Sequence, residues 1–235
     1  MDLQPSSYVR DNLASVHKRI CQAAKQYNRS LSSIQLLAVS KKKPASLVRE
    51  AAKAGQRLFG ENYLQEALLK MKELRDLKDL EFHFIGDVQS NKTKLIAENF
   101  AWVHSVHRKK IAHRLNEQRS CSLPPLNICL EVNVSEEVSK DGIVQFEALY
   151  DLARFIITSC PRLHLRGLMA IPKPTDTFVL QRQPYKRLKQ ILCQLQNRQI
   201  PVDTLSMGMS YDLEAAIAEG ATFVRLGQAV FGPRA

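Results

Sequence analysis

Polar residues follow two short apolar runs near the end of the chain, an arrangement that could bind an anion. The runs are Thr204–Met209 and Thr222–Leu226, and Leu213–Glu219 between them is predicted to be a helix. Ser210 lies where the first run leads into that helix, so its hydroxyl and the free N–H groups there could hold an anion. Gly227 follows the second run, where a missing side chain lets a ligand approach the backbone. In eight-stranded α/β barrels the loops after strands seven and eight commonly bind phosphate, so this segment predicts a phosphate site.

Lys41 is the residue that could react with a bound ligand, because it directly follows the buried run Ile34–Ser40. Burial would lower the pKa of its amine from about 10.4 and free it to form a Schiff base with an aldehyde. Pyridoxal 5′-phosphate (PLP) carries both an aldehyde and a phosphate, so the lysine and the phosphate site together predict this cofactor. Lys42 and Lys43 are the next candidates, and a solvated loop lysine is the alternative.

Arg225 lies in the last apolar run and could determine the protonation state of the cofactor's pyridine nitrogen. A guanidinium facing the pyridine nitrogen donates to it and cannot accept its proton, so the ring stays neutral and is a weaker electron sink. This disfavours reactions that need a fully delocalised carbanion. The alternative for Arg225 is an ion pair inside the barrel.

Other residues that could serve a site follow the remaining predicted strands. We place at these strand ends Asn62, His83 to Gly86, Ser105, Asn133 and Met169. The two asparagines could be turn formers or helix caps, and for His83 we favour a hydrogen-bonded core histidine. Their convergence on one rim nevertheless favours a functional site there.

These residues need a scaffold, and the hydrophobic pattern predicts an α/β fold. A first helix is predicted at Ser6–Tyr27, followed by eight strands that alternate with helices. The predicted strands are Ile34–Ser40, Arg57–Gly60, Leu80–Ile85, Trp102–Val106, Asn127–Val134, Leu163–Ile171, Thr204–Met209 and Thr222–Leu226. The predicted helices between them are Pro44–Ala54, Asn62–Leu74, Ser90–Asn99, Arg108–Gln118, Ile143–Thr158, Thr177–Arg198 and Leu213–Glu219.

Apolar strands separated by helices indicate a parallel sheet covered on its outside. Eight such units predict a single (β/α)8 TIM barrel with an extra N-terminal helix, and we expect one domain over residues 1–235. The alternative is an open doubly wound sheet. No GxGxxG follows the first strand, which weakens a dinucleotide-binding version of that fold.

Composition narrows the class of protein. The chain has 235 residues and 45% hydrophobic residues, which is typical of a globular protein. Five scattered cysteines form no close pair with metal-ligand spacing and favour reduced thiols, so we expect no metal and a cytoplasmic location. No apolar run approaches the roughly 20 residues of a membrane span, and we expect no signal peptide.

The formal net charge of +11 raises the possibility of nucleic-acid binding. The basic clusters Lys41–Lys43, Arg108–Lys110 and Tyr185–Lys189 are separate, and none is interleaved with aromatic residues as a stacking platform would be. We therefore favour a basic solvated surface over a nucleic-acid partner. A complete barrel with a polar exterior also predicts a monomer.

The order of motifs along nearly the whole chain resembles one known family. The motifs are LLAVSKKKP (Leu36–Pro44), FGENYLQE (Phe59–Glu66), FHFIGDVQSNK (Phe82–Lys92), VNVSEEVSKDG (Val132–Gly142), RGLMAIP (Arg166–Pro172), LSMGMSYDLEAAI (Leu205–Ile217) and VRLGQAVFG (Val224–Gly232). They are similar to those of the pyridoxal phosphate homeostasis proteins of YggS/PROSC type, a family similar to the barrel domain of alanine racemase. Mild departures from the family pattern are Phe82, Asp87 and Tyr211. Asp87 and Asp212 put negative charge near the rim.

The resemblance implies roles for individual residues. Lys41 would be the Schiff-base lysine, and Arg225 would face the ring nitrogen. The phosphate would be held by Ser210, Gly227 and Gln228, and the cofactor would be lined by Asn62 and Met169.

The resemblance also implies a carrier and reservoir for the cofactor that affects amino- and keto-acid balance indirectly, with apo forms of PLP enzymes as recipients. The related racemases use a lysine and a tyrosine brought by a second domain and a partner subunit. This chain ends at Ala235, soon after the eighth strand, so we expect no such second base. The alternatives are a single-domain PLP-dependent racemase or related enzyme, and a nucleic-acid-binding accessory protein.

Overall fold

The computed structural model describes residues 5–137 and 140–233, and its eight parallel strands form a closed barrel in the order β1 to β8. The strands are β1 (Gln35–Val39), β2 (Leu58–Glu61), β3 (Glu81–Phe84), β4 (Trp102–Val106), β5 (Leu126–Glu131), β6 (Leu163–Met169), β7 (Thr204–Ser206) and β8 (Phe223–Leu226). The predicted (β/α)8 fold is confirmed, because β1 pairs with both β2 and β8 and the sheet has no open edge.

Helices cover the outside of the barrel. They are α1 (Pro5–Gln26), α2 (Ala45–Lys53), α3 (Leu64–Glu73), α4 (Thr93–Asn99), α5 (Lys109–Gln118), α6 (Phe146–Ser159), α7 (Phe178–Asn197), α8 (Leu213–Ala218) and α9 (Gln228–Phe231), with a 3₁₀ turn at Leu31–Ser33. The extra N-terminal helix is confirmed. The 3₁₀ turn and α9 were not predicted, since three or four residues are too few to show a helical period.

Several strands end earlier than the hydrophobic pattern predicts. The run Thr204–Met209 is a strand only to Ser206, because the chain turns at Gly208, whose φ is 93°. Only glycine adopts this conformation without strain, and a Cβ there would lie 2.5 Å from the side chain of Ala216. The apolar residues beyond the strand therefore form a loop at the barrel rim.

The hydrophobic core has two parts, one between the strands and the helices and the other inside the barrel. The inner part consists of Leu37, Val39, Ile85, Trp102, Cys129, Met169 and Phe223. Each fully buried side chain of this size contributes roughly 1.5–3 kcal/mol by its removal from water. The barrel interior is thus filled by packed side chains. Several polar side chains also lie there, and they are described below.

Helix α1 is attached to the elements that follow β7 and β8. Its side chains at helical spacing, such as Leu13 and Val16, are buried as predicted. Arg19 forms a two-point ion pair with Glu214 on α8 and also donates to the carbonyl of Ser210 at 3.1 Å. Asn12 donates to the carbonyl of Val230 at 3.0 Å. The extra helix therefore holds both loops in which the phosphate site is predicted.

In the part of the chain that the structure describes, no helix is both long and apolar enough to cross a membrane. All five cysteines are free thiols, with Cys129 and Cys160 buried.

Candidate functional site

Lys41 begins the turn that follows β1, at the carboxyl end of the barrel, and its side chain is half-buried. The preceding Ser40 is fully buried, and its N–H donates to the carbonyl of Gly60 on the neighbouring strand. The N–H of Lys43 donates to the carbonyl of Ser40, which closes the turn. Lys42 is exposed with a φ of 58°, and the Lys43 ammonium donates to the carbonyl of Pro233. Lys41 is thus held by backbone bonds on both sides.

A buried group of charged residues lies beneath this turn. The ammonium of Lys70 contacts the carboxylate of Glu61 and donates to the carbonyl of Ser40 at 2.7 Å. Glu61 also accepts from the Ser40 hydroxyl at 2.6 Å, and Glu66 accepts from the Lys42 N–H at 2.6 Å. Burial raises the pKa of the Glu61 carboxyl, and Lys70 beside it acts in the opposite direction. The group ties β1, β2 and α3 to the turn that carries Lys41.

Asn62 follows β2, the strand next to Lys41, and is half-buried. Its Oδ1 atom is buried and has no hydrogen-bond partner in the structure. A buried carbonyl oxygen without a partner costs free energy, so it is a candidate for contact with a ligand. Its backbone is packed against Gly86, where a Cβ would lie 2.2 Å from the Asn62 carbonyl oxygen.

The loop after β7 carries Ser210, which is half-buried. Asp212 shapes this loop by accepting from the Met209 N–H at 2.6 Å and from the Tyr185 hydroxyl at 2.6 Å. Burial, together with the neighbouring Asp212, raises the pKa of Tyr211 to about 12. The loop is therefore anchored from α1 and α7, and Tyr211 keeps its proton at neutral pH.

The loop after β8 contains Gly227, and α9 begins at Gln228. The N–H groups of Val230 and Phe231 bond to the Gly227 carbonyl, whereas the first N–H groups of a helix have no partner within it. A Cβ on Gly227 would lie 3.2 Å from the Val39 carbonyl oxygen, so only glycine fits easily there. Gln228 is exposed at this helix start.

Arg225 and Met169 point into the barrel and are almost fully buried. The Arg225 guanidinium donates to the Ser206 hydroxyl at 2.8 Å and to the Ala170 carbonyl at 2.9 Å. In the described ranges no carboxylate lies within ion-pair distance of Arg225, and its hydrogen-bond partners there are neutral oxygen atoms. Met169, at the end of β6, belongs to the inner core.

The predicted site residues meet at one end of the barrel because their strands are neighbours. The strands β8, β1 and β2 are consecutive, which brings Arg225, Gly227, Lys41 and Asn62 to adjacent positions. Ser210 follows β7, the strand next to β8. PLP is an anionic aldehyde, and the groups at this rim suit such a ligand. They are the amine of Lys41, the buried Asn62 oxygen without a hydrogen-bond partner, and the N–H groups of the loops after β7 and β8. In residues 5–137 and 140–233 no three His, Cys, Asp or Glu side chains are grouped to bind a metal ion.

The prediction that His83 lies at the rim is wrong, whereas its interpretation as a core histidine is confirmed. His83 is fully buried and pairs in register with Trp102, the first residue of β4. Its ring nitrogens contact His104 and Glu81, each at 2.9 Å. The two-residue alternation of strand side chains could have indicated that Glu81, His83 and Ile85 face one side.

Sequence reasoning also missed His104, Ser206, Lys70 and Glu61 as parts of the site's support. Glu61 directly precedes Asn62, so its place at the end of β2 could have drawn attention to it. The other three offer no local signal, because each lies in an ordinary strand or helix pattern.

A cavity lies at the opposite, amino-terminal mouth of the barrel. Its volume is about 690 Å³, and its lining includes Glu81, Trp102, Asn127, Arg166 and Phe223. Arg166 lies over the Trp102 ring at 5.1 Å and bonds to Asp203. Catalytic and binding residues of TIM barrels lie at the carboxyl ends of the strands, so this cavity is separate from the candidate site.

Comparison with known proteins agrees with this geometry. A family model described as the N-terminal domain of alanine racemase matches residues 12–235. The chain is 57% identical over 228 residues to a pyridoxal phosphate homeostasis protein of Pseudomonas aeruginosa, covering 97% of this chain and 96% of that one. A protein of the same name in Escherichia coli is 50% identical over 228 residues, covering 96% and 97%.

Among solved structures, the chain is similar to PipY of Synechococcus elongatus, which was solved with PLP bound. The TM-score is 0.82 at 35% sequence identity, and the match covers 95% of this chain and 100% of PipY. The similarity therefore covers nearly the whole chain.

Proposed function

The chain belongs to the family of pyridoxal phosphate homeostasis proteins, and from this premise we propose that it binds PLP as a carrier and reservoir of the cofactor. The observation that carries the proposal is the convergence at one rim of Lys41, the Asn62 oxygen without a partner and the loops after β7 and β8. PipY, solved with PLP bound, is 35% identical to this chain. We propose that residues 1–235 work as one cofactor-binding domain.

The bound cofactor supplies an aldehyde that condenses with a primary amine to a Schiff base and water, and we assign that amine to Lys41. The backbone bonds of Ser40 and Lys43 hold Lys41 at the rim. Ser210, Gly227 and Gln228 bind the phosphate through a hydroxyl and N–H groups, as anions are bound at helix starts. Asn62 and Met169 line the cofactor, and Arg225 donates to the ring nitrogen.

The absence of turnover is the second part of the proposal. Acid–base catalysis needs a second group with a pKa near the working pH and in reach of the reacting carbon. Burial and the neighbouring Asp212 raise the pKa of Tyr211 to about 12, so Tyr211 is a poor base at neutral pH. Tyr63 has an exposed side chain. These observations favour holding and release of the cofactor over amino-acid racemisation.

The proposal also concerns the proteins that receive the cofactor. Apo forms of PLP enzymes are the recipients, so the effect on amino- and keto-acid balance is indirect. The five free thiols support work in a reducing compartment, the cytoplasm. We propose that the protein acts as a monomer without nucleic acid, since the closed barrel completes its site from one chain.

Borohydride reduction followed by mass spectrometry tests the assignment. The peptide that contains Lys41 is expected to gain the mass of one cofactor less one oxygen atom, because water leaves when the Schiff base forms and reduction adds two hydrogens. Lys41→Ala is expected to show no such gain. Lys42→Ala serves as the matched control, because it removes a neighbouring exposed amine and keeps the adduct. An adduct that persists in Lys41→Ala contradicts the assignment.

The competing function is a single-domain racemase that uses Lys41 as its base. Incubation of the loaded protein with a panel of amino acids in deuterium oxide distinguishes the two. A carrier leaves the α-hydrogen in place, whereas exchange that disappears in Lys41→Ala establishes an enzyme.

A further inference from the structure

A chain of hydrogen-bonded side chains crosses the barrel interior from its amino-terminal mouth to Arg225. The Glu81 carboxylate lies 2.9 Å from Nε2 of His83, and Nδ1 of His83 lies 2.9 Å from Nε2 of His104. Nδ1 of His104 lies 2.7 Å from the Ser206 hydroxyl, which in turn accepts from Arg225 at 2.8 Å. These four contacts join residues of β3, β4, β7 and β8 into one line.

The middle of this chain is shielded from water. His83, His104 and Ser206 are fully buried, and Arg225 is nearly so. The His83 ring stacks on Trp102 with centroids 5.4 Å apart, and Phe223 meets both histidine rings edge-on. In such surroundings a polar atom that loses its partner finds no water to replace it, so each contact contributes strongly to the arrangement.

The Glu81 end determines where the protons lie. The bond from His83 lowers the pKa of Glu81, so this carboxylate is ionised and can only accept. Nε2 of His83 therefore carries a proton. Burial lowers the pKa of His83 and of His104, which keeps both rings neutral with one proton each. Nδ1 of His83 must then accept, so Nε2 of His104 carries the second ring's proton.

The hydrogen bonds at the Arg225 end of the chain donate in the same direction as those at the Glu81 end. A guanidinium has five N–H donors and no acceptor, so Arg225 donates to the Ser206 oxygen. Nδ1 of His104 has no proton left, and the Ser206 hydroxyl donates to it. Every proton therefore points away from the cationic end, Arg225, toward the anionic end, Glu81. Aligned hydrogen bonds of this kind strengthen one another.

We propose that Glu81, His83, His104 and Ser206 are positioning residues that hold Arg225, through this directed chain, as the donor to the ring nitrogen of the bound cofactor. The proposal rests on the proposed function only for the identity of the ligand. The chain and the bond to the Ala170 carbonyl use two of the five N–H donors of Arg225. They fix the plane of the guanidinium before any ligand arrives, which lowers the entropic cost of binding.

The first test needs no cofactor. Protein labelled with ¹⁵N-histidine is studied by NMR at neutral pH, with signals assigned through His83→Gln and His104→Gln. Each of the two buried rings is expected to carry a single proton, on Nε2. A proton on Nδ1 of either ring, or a doubly protonated ring, overturns the proposal. Because this measurement uses the unaltered chain without ligand, it stands whether or not the protein binds PLP.

The second test breaks the chain at its centre. In Ser206→Ala, Arg225 loses an acceptor and Nδ1 of His104 loses the hydroxyl that donates to it. The ¹⁵N signal of His104 Nδ1 is expected to shift because this atom no longer accepts a hydrogen bond, while the proton stays on Nε2, which still donates to His83. The dissociation constant for PLP is expected to rise about 10-fold, as for a lost charged hydrogen bond. Thr93→Ala is the control, since it removes a fully buried hydroxyl from α4, outside the barrel interior.

A folded Ser206→Ala protein with wild-type affinity and an unchanged His104 Nδ1 signal contradicts the proposal. If this variant does not fold, Glu81→Gln tests the same chain from its half-exposed end. There the neutral amide no longer requires a proton on His83 Nε2, and a mixture of His83 tautomers supports the proposal. An unchanged single tautomer in Glu81→Gln overturns it.

Discussion

The ammonium group of Lys70 on α3 contacts the buried carboxylate of Glu61, directly beneath the turn that carries Lys41. Both side chains are almost completely buried, and the contact joins α3 to the carboxyl end of β2. Lys70 also reaches the Ser40 carbonyl, so the same ammonium supports the residue before Lys41. The turn that carries Lys41 is thus supported by a second lysine that is almost completely buried.

Removal of Lys70 is expected to destabilise the protein strongly. Lys70→Met leaves the Glu61 carboxylate buried without its cation, which costs about 3–5 kcal/mol of the free energy of unfolding. Urea denaturation measures this loss, and the double variant Lys70→Met with Glu61→Gln is expected to recover part of it. The control is Lys94→Met, because Lys94 is largely exposed. A Lys70→Met protein as stable as the wild type would disprove the role of this pair.

Substitution of Ser210 tests the phosphate loop after β7. Ser210→Ala removes one hydroxyl donor to an anion and is expected to weaken PLP binding by about 1–2 kcal/mol, roughly 5- to 30-fold in the dissociation constant. Fluorescence titration of the purified protein measures the change. Ser122→Ala, at an exposed serine in the segment before β5, should bind as the wild type does. Equal affinity of Ser210→Ala would mean that backbone N–H groups alone hold the phosphate.

Arg19 on α1 is expected to affect cofactor binding although it lies outside the rim. Arg19→Ala removes the bond to the Ser210 carbonyl and the ion pair with Glu214, which frees the loop after β7. The pair is partly exposed, so the loss of stability should stay below about 1 kcal/mol. The dissociation constant for PLP should rise a few-fold. Arg10→Ala on the same helix is the control, and an identical affinity for the two variants would exclude this support.

The two buried histidines predict a loss of stability in mild acid. Burial lowers the pKa of both His83 and His104 in the folded protein, whereas the unfolded chain titrates near the ordinary value of about 6.5. Below pH ~6.5 the unfolded chain therefore binds more protons, and the free energy of unfolding falls as the pH falls. Each histidine contributes a slope of at most about 1.4 kcal/mol per pH unit.

Denaturation curves at several pH values measure how the free energy of unfolding changes with pH. A histidine variant separates the contribution of that residue from those of other titrating groups. The raised pKa of Glu61 acts in the opposite direction above pH ~4.5, and the raised pKa of His107 contributes stability that is lost as the pH rises beyond ~6.5. His104→Gln should therefore have a shallower slope than the wild type between pH 4.5 and 6.5. His17→Gln, at an exposed position on α1, should keep the wild-type slope.

The alternation of strands and helices could be predicted from the sequence because hydrophobic periodicity is a local property. Runs such as Leu36–Val39 are apolar throughout, as a strand buried on both faces must be, and Lys41 comes directly after that run. The same local pattern predicted a turn at Ser210 and a second turn at Gly227, after β8. Strand ends were less predictable, since Gly208 ends β7 within an apolar run.

The barrel and the residues at its rim could be predicted from the amino-acid sequence, because strand order and side-chain alternation follow from neighbours along the chain. The contacts inside and beneath that rim could not be predicted, because they depend on how distant segments fold together. His104 and Ser206 are 102 positions apart and meet because eight strands close in one register. Lys70 reaches the Ser40 carbonyl across 30 positions because β1 pairs with β2 and Lys70 on α3 lies beside Glu61 at the end of β2. Closure turns inward-facing polar residues of distant strands into neighbours, and no local pattern contains that information.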